Sequence, residues 1–369
     1  MTHPENGKVQ VTVFGPGFGE SILIHIGDRS WIIIDSCLND SRKPAALDYL
    51  KSIGVDVASE VFLIVATHWH DDHIKGLKET LLECESARFA MSSALTRREF
   101  LAYLIAYDAQ PDMNTGRGGS EIISCLRIVK KRGQPAIPVV QDRKIIDWPS
   151  GHFSHQQSVE LLALSPSDMQ FSDALLTASE FPDLINKRTG AQAVPKKRIS
   201  SENKNDLSVA ILLTVGNNAV ILGADVEERN DGNYGWLNIV NNRKGREPRP
   251  KYLKVAHHGS EGAHLDALWS DVLTTNAISV VTPWSRGGNL LPTAQAKQKL
   301  RELSDNAYIT STEIISLKKR YDRDVLKHIS RSGVELLSTV YRCGSVTLLI
   351  DSITGGLEDV CLTESAAKL

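Results

Sequence analysis

The run Thr67-His68-Trp69-His70-Asp71-Asp72-His73 places four ligand-type side chains, His68, His70, Asp72 and His73, within six positions. It follows the apolar stretch Val61-Phe62-Leu63-Ile64-Val65-Ala66, which reads as a buried strand. The ligands therefore sit on a loop leaving a strand end. Neutral imidazole and carboxylate are the ligands of zinc-class ions, and an H-x-H-x-D-H run can serve two ions at once. A histidine pair at i and i+2 points into one site only where the backbone turns. His68 and His70 are expected on one ion, with Asp72 and His73 on a second. A carboxylate shared by both ions would hold them about 3.5–4 Å apart, the spacing of two-metal hydrolases.

Further donors recur where other strands end. Asp225 follows Ile221-Leu222-Gly223-Ala224, and His257-His258 follow Leu253-Lys254-Val255-Ala256 and precede Gly259-Ser260. If these strands are parallel neighbours, or face one another across the edge of a sandwich, their ends converge. The elements that must position them read as follows. Strands are expected at 9–14, 21–26, 30–35, 61–67, 156–165, 207–215, 219–222, 252–256, 277–282, 308–310 and 345–351. Helices are expected at 44–53, 74–84, 92–109, 120–132 and 293–303. Breaks fall at 115–119 and 216–218. Strands in both halves with helices between them suggest two packed sheets with helices outside.

With these residues together, the chain resembles the metallo-β-lactamase superfamily, an αββα sandwich with a metal site at one edge. His68-x-His70-x-Asp72-His73 matches that family's defining motif, and Gly223-Ala224-Asp225 matches its bridging aspartate. Asp35, in Ile32-Ile33-Ile34-Asp35-Ser36-Cys37, matches an early strand-end aspartate that is usually structural. Leu253-Lys254-Val255-Ala256-His257-His258-Gly259-Ser260 resembles a narrower branch, the hydrolase domain of DNA-uptake channel proteins and the choline-phosphate esterases. Asn205-Asp206-Leu207-Ser208, ahead of a strand-turn-strand ending in Gly-x-Asp, resembles that branch too. The resemblance covers most of residues 8–351. The expected architecture is a single α+β, four-layer αββα domain over 8–355, with insertions near 86–150, 166–204 and 227–250 and a C-terminal tail at 356–369.

The resemblance implies two divalent ions, zinc with manganese as the alternative, held by His68, His70, Asp72, His73, Asp225, His257 or His258, and Asn205. Two departures stand out. Many family members carry a third histidine on the first metal, and here no histidine lies between His155 and His257. Asn205, Asp206, Ser208, His152 and His155 are the candidates for that place. The uptake-channel branch also carries a histidine where this chain has Leu291, before Pro292. His264 is the candidate replacement as a catalytic group. In the mechanism this implies, an activated hydroxide attacks an electrophilic centre and Asp72 accepts the proton. A phosphodiester or nucleic acid is the expected substrate, with esters, thioesters or lactones as the alternative class. A degenerate metal-binding module, or one component of a multi-protein defence-type system, is the alternative to an enzyme.

The totals narrow the field. With 369 residues, a formal charge of −2 and 41% hydrophobic residues, the chain can bury a large core and has no global pull toward nucleic acid or membrane. Basic clusters at Lys196-Lys197-Arg198, Arg243-Lys244-Gly245-Arg246 and Lys318-Lys319-Arg320 with Arg323 could track a phosphate backbone or be solvated loops. Trp69 could stack on a base or pack against a loop. The five cysteines are scattered without C-x-x-C spacing, which fits a reducing cytoplasm. No apolar run reaches the ~20 residues of a membrane helix. The start shows no signal-peptide pattern, so a soluble cytoplasmic protein is expected. Protein partners are not legible.

Overall fold

In the second, third and fourth strands of the chain every residue but one is buried, because each strand has apolar cover on both faces. Ile22, Ile24, Ile32, Ile34, Leu63 and Val65 point into one apolar cluster, while Leu23, Trp31, Ile33, Ile64 and Ala66 point into another. That period-two split runs through both sheets and produces three apolar layers. The middle layer lies between the sheets, joining Val11, Ile24 and Val65 to Leu161, Leu213, Val220 and Tyr252. One outer layer packs the helices Ala45–Ser52, Leu77–Glu83 and Gly118–Lys131 on the first sheet through Leu47, Leu50, Leu81, Ile122 and Val129. The other packs Gly235–Arg243 and Ala294–Leu303 on the second sheet through Trp236, Ile239, Val240 and Leu300. The molecule is the expected four-layer αββα sandwich.

The computed structural model describes residues 4–5, 7–15, 18–98, 100–101, 104, 118–179, 205–286, 289–318 and 337–369. Lys196-Lys197-Arg198, residues 115–117, most of the 166–204 segment, and Lys319, Arg320 and Arg323 lie outside them.

The chain begins in the first sheet with β1 (Lys8–Gly15), β2 (Ser21–His25), β3 (Trp31–Ile34), β4 (Val61–Ala66), β5 (Arg88–Ser92) and β6 (Ile137–Val139). It crosses to the second sheet with β7 (Lys144–Trp148), β8 (Val159–Ala163), β9 (Ile211–Val215), β10 (Asn218–Leu222), β11 (Tyr252–Lys254) and β12 (Ile278–Val281). A hairpin, β13 (Trp284–Arg286) and β14 (Asn289–Leu291), precedes β15 (Ala307–Ile309) in the second sheet. A second hairpin is β16 (Ile314–Lys318) and β17 (Leu337–Tyr341). The chain then returns to the first sheet with β18 (Gly344–Asp351) and β19 (Leu357–Leu362), and ends in the second with β20 (Ala367–Lys368).

The order is β19-β18-β1-β2-β3-β4-β5-β6 in one sheet and β20-β15-β12-β11-β10-β9-β8-β7 in the other. Strands β3 to β6 are mutually parallel, as are β10, β11, β12 and β15. Parallel neighbours release their chains at the same edge, so the loops after β3, β4, β10, β11 and β12 all emerge together. The Val209 amide donating to the Thr67 carbonyl at 3.1 Å ties the two sheets at that edge.

Several expectations change. Residues 356–369 are not a tail: they supply β19 and β20, one at the edge of each sheet. The 86–150 segment is not an insertion on a finished sandwich, since it contributes β5, β6 and β7. Short strands beside edge positions carry too little alternation to be read. Within 227–250, Gly235–Arg243 is a core-covering helix with Trp236 fully buried. The helix expected at 92–109 begins instead as a strand end and a 3₁₀ turn at Ser93–Thr96.

Because Trp236 anchors the outer layer of the second sheet, Trp236→Ala should destabilise the fold by about 3–5 kcal/mol. A lower midpoint in urea unfolding would show it; an unchanged midpoint would deny Trp236 that role.

Candidate metal centre

Four chain segments meet at the common edge. Asp35 leaves β3, Thr67 to His73 leave β4, Ala224-Asp225 leave β10, and His257-His258 follow β11. Glu20 joins them from the opposite direction. It stands just before β2, which runs antiparallel to β3 with Ile22 paired to Ile34, so its start lies beside the end of β3. Gly19 (φ +112°) permits this approach: a Cβ there would meet the Asp72 carbonyl oxygen at 2.4 Å. The Glu20 amide donates to that same carbonyl at 2.9 Å.

The ligand atoms converge in two overlapping groups. In one, His68 Nε2 lies 3.1 Å from His70 Nδ1 and 3.5 Å from Asp225 Oδ2. In the other, His73 Nε2 lies 3.1 Å from Asp225 Oδ1, and His258 Nε2 lies 3.6 Å from Asp72 Oδ2. Asp225 thus turns one oxygen to each group. The Trp284 indole N–H donates to Asp72 Oδ2 at 2.9 Å. His73 Nε2, Asp225 Oδ1 and His258 Nε2 are buried without a hydrogen-bond partner. Lone pairs buried and aimed at one another in this way fit a donor set for a divalent cation.

Electrostatics point the same way. Glu20, Asp35 and Asp225 are buried and Asp72 nearly so, while Lys254 on Glu20 is the one buried ammonium beside them among the described residues. Burial disfavours charge on His73, but the Asp225 and Glu20 carboxyls outweigh it and hold the imidazole well above its ordinary value. Burial likewise resists charge on Asp225, yet the neighbouring His73 and His68 imidazoles hold it well below the usual carboxylate range. Asp72 is lowered against its burial by His258, His73 and His70.

A second layer orients these groups. Asp35 accepts from the Thr67 amide at 2.7 Å, from the Thr67 hydroxyl at 2.6 Å and from His73 Nδ1 at 2.7 Å. Glu20 accepts from Lys254 and, at 2.9 Å, from the Thr282 hydroxyl, which contacts His258 Nδ1 at 2.9 Å. Glu20 also lies near enough to His73, Asp225 and His258 to form a candidate donor group with them. Its Oε2 is already engaged by an ammonium and a hydroxyl, so we place it behind the ligands. Asp35, Ala224, His257 and His258 all adopt left-handed φ values between +41° and +56°. Non-glycine residues held there store strain that the surrounding contacts must over-determine.

The structure brings together His68, His70, Asp72, His73, Asp225 and His258. His257 joins none of the candidate donor groups among the described residues; its contacts are Glu227, Ser260 and the Asn205 amide. Glu227 and Asp225 lift His257 above its ordinary value against its burial. Asn205 is buried beside His257, donating to Glu227 at 2.9 Å with its Oδ1 unpartnered. Asp206 pairs with Arg229. His264 shares no hydrogen bond or ion pair with the cluster; its ring nitrogens are buried without partners, and burial and Lys299 hold it below its ordinary value. His155 is committed to the Ile26 carbonyl and the Gln157 amide, and His152 stacks on Trp148, so neither joins the centre. Trp69 packs on Phe100 in the core. Glu20, Lys254, Thr282 and Trp284 were missed. The Phe18-Gly19-Glu20-Ser21 turn ahead of an apolar strand, and a lysine inside the apolar run before His257, were the available signals.

No protein-family model matches the sequence, nor does any curated protein. Solved structures do. MEM-A1, a subclass B3 metallo-β-lactamase from a soil metagenome library, is 13% identical over 70% of this chain and 80% of its own, with a TM-score of 0.33. A motif mutant of a metallo-β-lactamase from Cronobacter sakazakii is 16% identical over 66% and 75%, with a TM-score of 0.32. Zinc-bound PqqB from Methylobacterium extorquens is 9% identical over 67% and 73%, with a TM-score of 0.32.

Lys254 is the counter-charge for a buried carboxyl. Lys254→Met should cost about 3–5 kcal/mol, and the Glu20→Gln/Lys254→Met double variant markedly less, in urea unfolding. An equal loss in both would show that the charge pairing contributes nothing.

The raised His73 value gives a pH signature in chelator. Its contribution to stability is complete below the ordinary value of 6.5 and is lost as pH rises through the folded-state value. Asp225 behaves oppositely, contributing above its ordinary 3.8 and losing that as pH falls. Thermal melts of chelated protein should therefore weaken on the alkaline side. Added zinc should flatten that decline, because ions need the unprotonated imidazole. A chelated melt that strengthens with rising pH would contradict the His73 assignment.

Proposed function

We propose that this protein, an αββα sandwich of the metallo-β-lactamase kind, is a metal-dependent hydrolase that uses two divalent ions of the zinc class. The observation that carries the reading is Asp225, which turns one carboxyl oxygen toward His68 and the other toward His73 at the meeting of two histidine groups. One ion would be held by His68 Nε2, His70 Nδ1 and Asp225. The other would be held by Asp72, His73 Nε2, His258 Nε2 and Asp225. When bound, such ions lower the pKa of water toward neutrality and stabilise negative charge on the attacked group.

The chain's own groups do the rest. Asp35 orients His73, and the Trp284 indole N–H restrains Asp72 so that its carboxyl faces His258. Asp72 is the acceptor for the proton released by the attacking water. Trp284 and Phe18 lie with ring centroids 6.4 Å apart and supply an aromatic flank beside Asp72. Asn205, ahead of β9, forms a polar network with Glu227, on the chain that follows Asp225, and His257, on the loop after β11; these are the candidates to bind substrate there.

A phosphodiester is the favoured substrate. The support is the likeness of Asn205-Asp206-Leu207-Ser208 and Leu253 to Ser260 to the uptake-channel and choline-phosphate esterase branch. The basic stretch at Arg243 to Arg246 does not add to it: Arg243 is buried and Lys244 pairs with Asp271. The test is metal quantification followed by turnover of bis-p-nitrophenyl phosphate, single- and double-stranded DNA, RNA and cyclic nucleotides against a panel of esters, thioesters and lactones. Zinc-dependent cleavage of a phosphodiester is expected, abolished by chelator and restored by zinc. Asp225→Asn should lose at least the roughly 10–100-fold in metal affinity typical even of residues behind a ligand. Activity confined to esters would overturn the substrate class, and a protein that takes up no metal would overturn the hydrolase reading.

A further inference from the structure

Two hydrogen-bond chains of the same kind stand behind the cluster, one in each half. In the first, the Thr67 hydroxyl donates to Asp35 Oδ2 at 2.6 Å and contacts His68 Nδ1 at 3.0 Å. In the second, the Thr282 hydroxyl donates to Glu20 Oε2 at 2.9 Å and contacts His258 Nδ1 at 2.9 Å. A hydroxyl has one proton to give. Once that proton is committed to a carboxyl, the oxygen can only accept from the imidazole. Nδ1 must then carry the ring proton, and Nε2 is left as a lone pair. In His258 that Nε2 is buried, unpartnered and 3.6 Å from Asp72. In His68 it lies between His70 and Asp225.

Each carboxyl is itself anchored. Asp35 Oδ1 takes the Thr67 backbone amide at 2.7 Å, so the residue that bears the hydroxyl is held by the group it donates to. Glu20 is anchored by the Lys254 ammonium on the same Oε2 that Thr282 uses, and Lys254 reaches the Ala224 carbonyl next to Asp225 at 3.4 Å. Carboxyl, hydroxyl and ammonium are buried in this second chain, so water does not compete for the threonine proton.

We propose that Thr67 and Thr282 are positioning residues that set the tautomers of His68 and His258, each serving one half of the centre, with the Glu20–Lys254 pair as the anchor of the second chain. The proposal rests on the two-ion reading for its consequence but not for its geometry, since the tautomer is a property of the metal-free protein.

Long-range ¹H–¹⁵N correlation spectra of imidazole nitrogens, recorded in chelator at mildly alkaline pH and assigned with His68→Gln and His258→Gln variants, test it. In the wild type both rings should be in the Nδ1–H form. Thr282→Val, which keeps the shape and removes the hydroxyl, should shift His258 toward a mixture and leave His68 unchanged. It should also weaken one of two bound ions by roughly 10–100-fold, the usual cost of removing a group behind a ligand. Thr67→Val should do the reverse, and Thr282→Ser should restore His258. A wild-type His258 in the Nε2–H form overturns the proposal, as does a Thr282→Val spectrum with His258 unmoved. If the wild type takes up no metal, the hydrolase reading fails while the spectra still decide the tautomers. Should Thr282→Val not fold, the wild-type and Thr282→Ser spectra decide alone.

Discussion

Negative charge gathered out of water is the constraint on which this structure depends. Glu20, Asp35, Asp72 and Asp225 converge at one edge of the sandwich, and a buried ammonium, Lys254, lies among them. Carboxyls in a dry interior are tolerated only with partners. The surroundings supply these in layers: imidazoles against Asp225 and Asp72, threonine and histidine donors on Asp35, and an ammonium and a hydroxyl on Glu20. The lifted His73 shows the cluster drawing in positive charge where it can.

The same convergence accounts for local backbone that would otherwise be costly. Asp35, Ala224, His257 and His258 sit in left-handed conformations on three loops that border the cluster. Two parallel strand sets bring those loops to one edge, and the three apolar layers hold the sets rigid. Strain of order 1–3 kcal/mol per residue is sustainable at such a point because the packed sheets, not the loops, carry the stability.

The two halves of the centre are not equivalent. One is lined by Asp72, His73, His258 and Asp225, with ordered groups behind each histidine. The other has His68, His70 and Asp225, and beside Asp225 lies the Asn205–Glu227–His257 network. The aromatic flank belongs to the first half, where Trp284 donates to Asp72 and stacks near His258.

The donor run at His68 to His73 was legible because ligand types crowd into one short loop, and Asp225 and the His257-His258 pair were legible because each follows a recognisable strand. The layered fold was legible from continuous apolar runs such as Val61 to Ala66, since only strands covered on both faces can be apolar throughout. What tertiary structure alone decided was everything that depends on strand direction and on neighbours remote in the chain. Glu20 precedes its strand rather than following it, and only the antiparallel pairing of β2 with β3 carries it to the site. His258 rather than His257 enters the cluster because two successive left-handed residues turn the loop, a choice that adjacent identical side chains cannot announce. The edge strands β19 and β20 form because the sheets offer unpaired edges. The sequence determined the chemistry available; the polarity of the strands determined which groups share it.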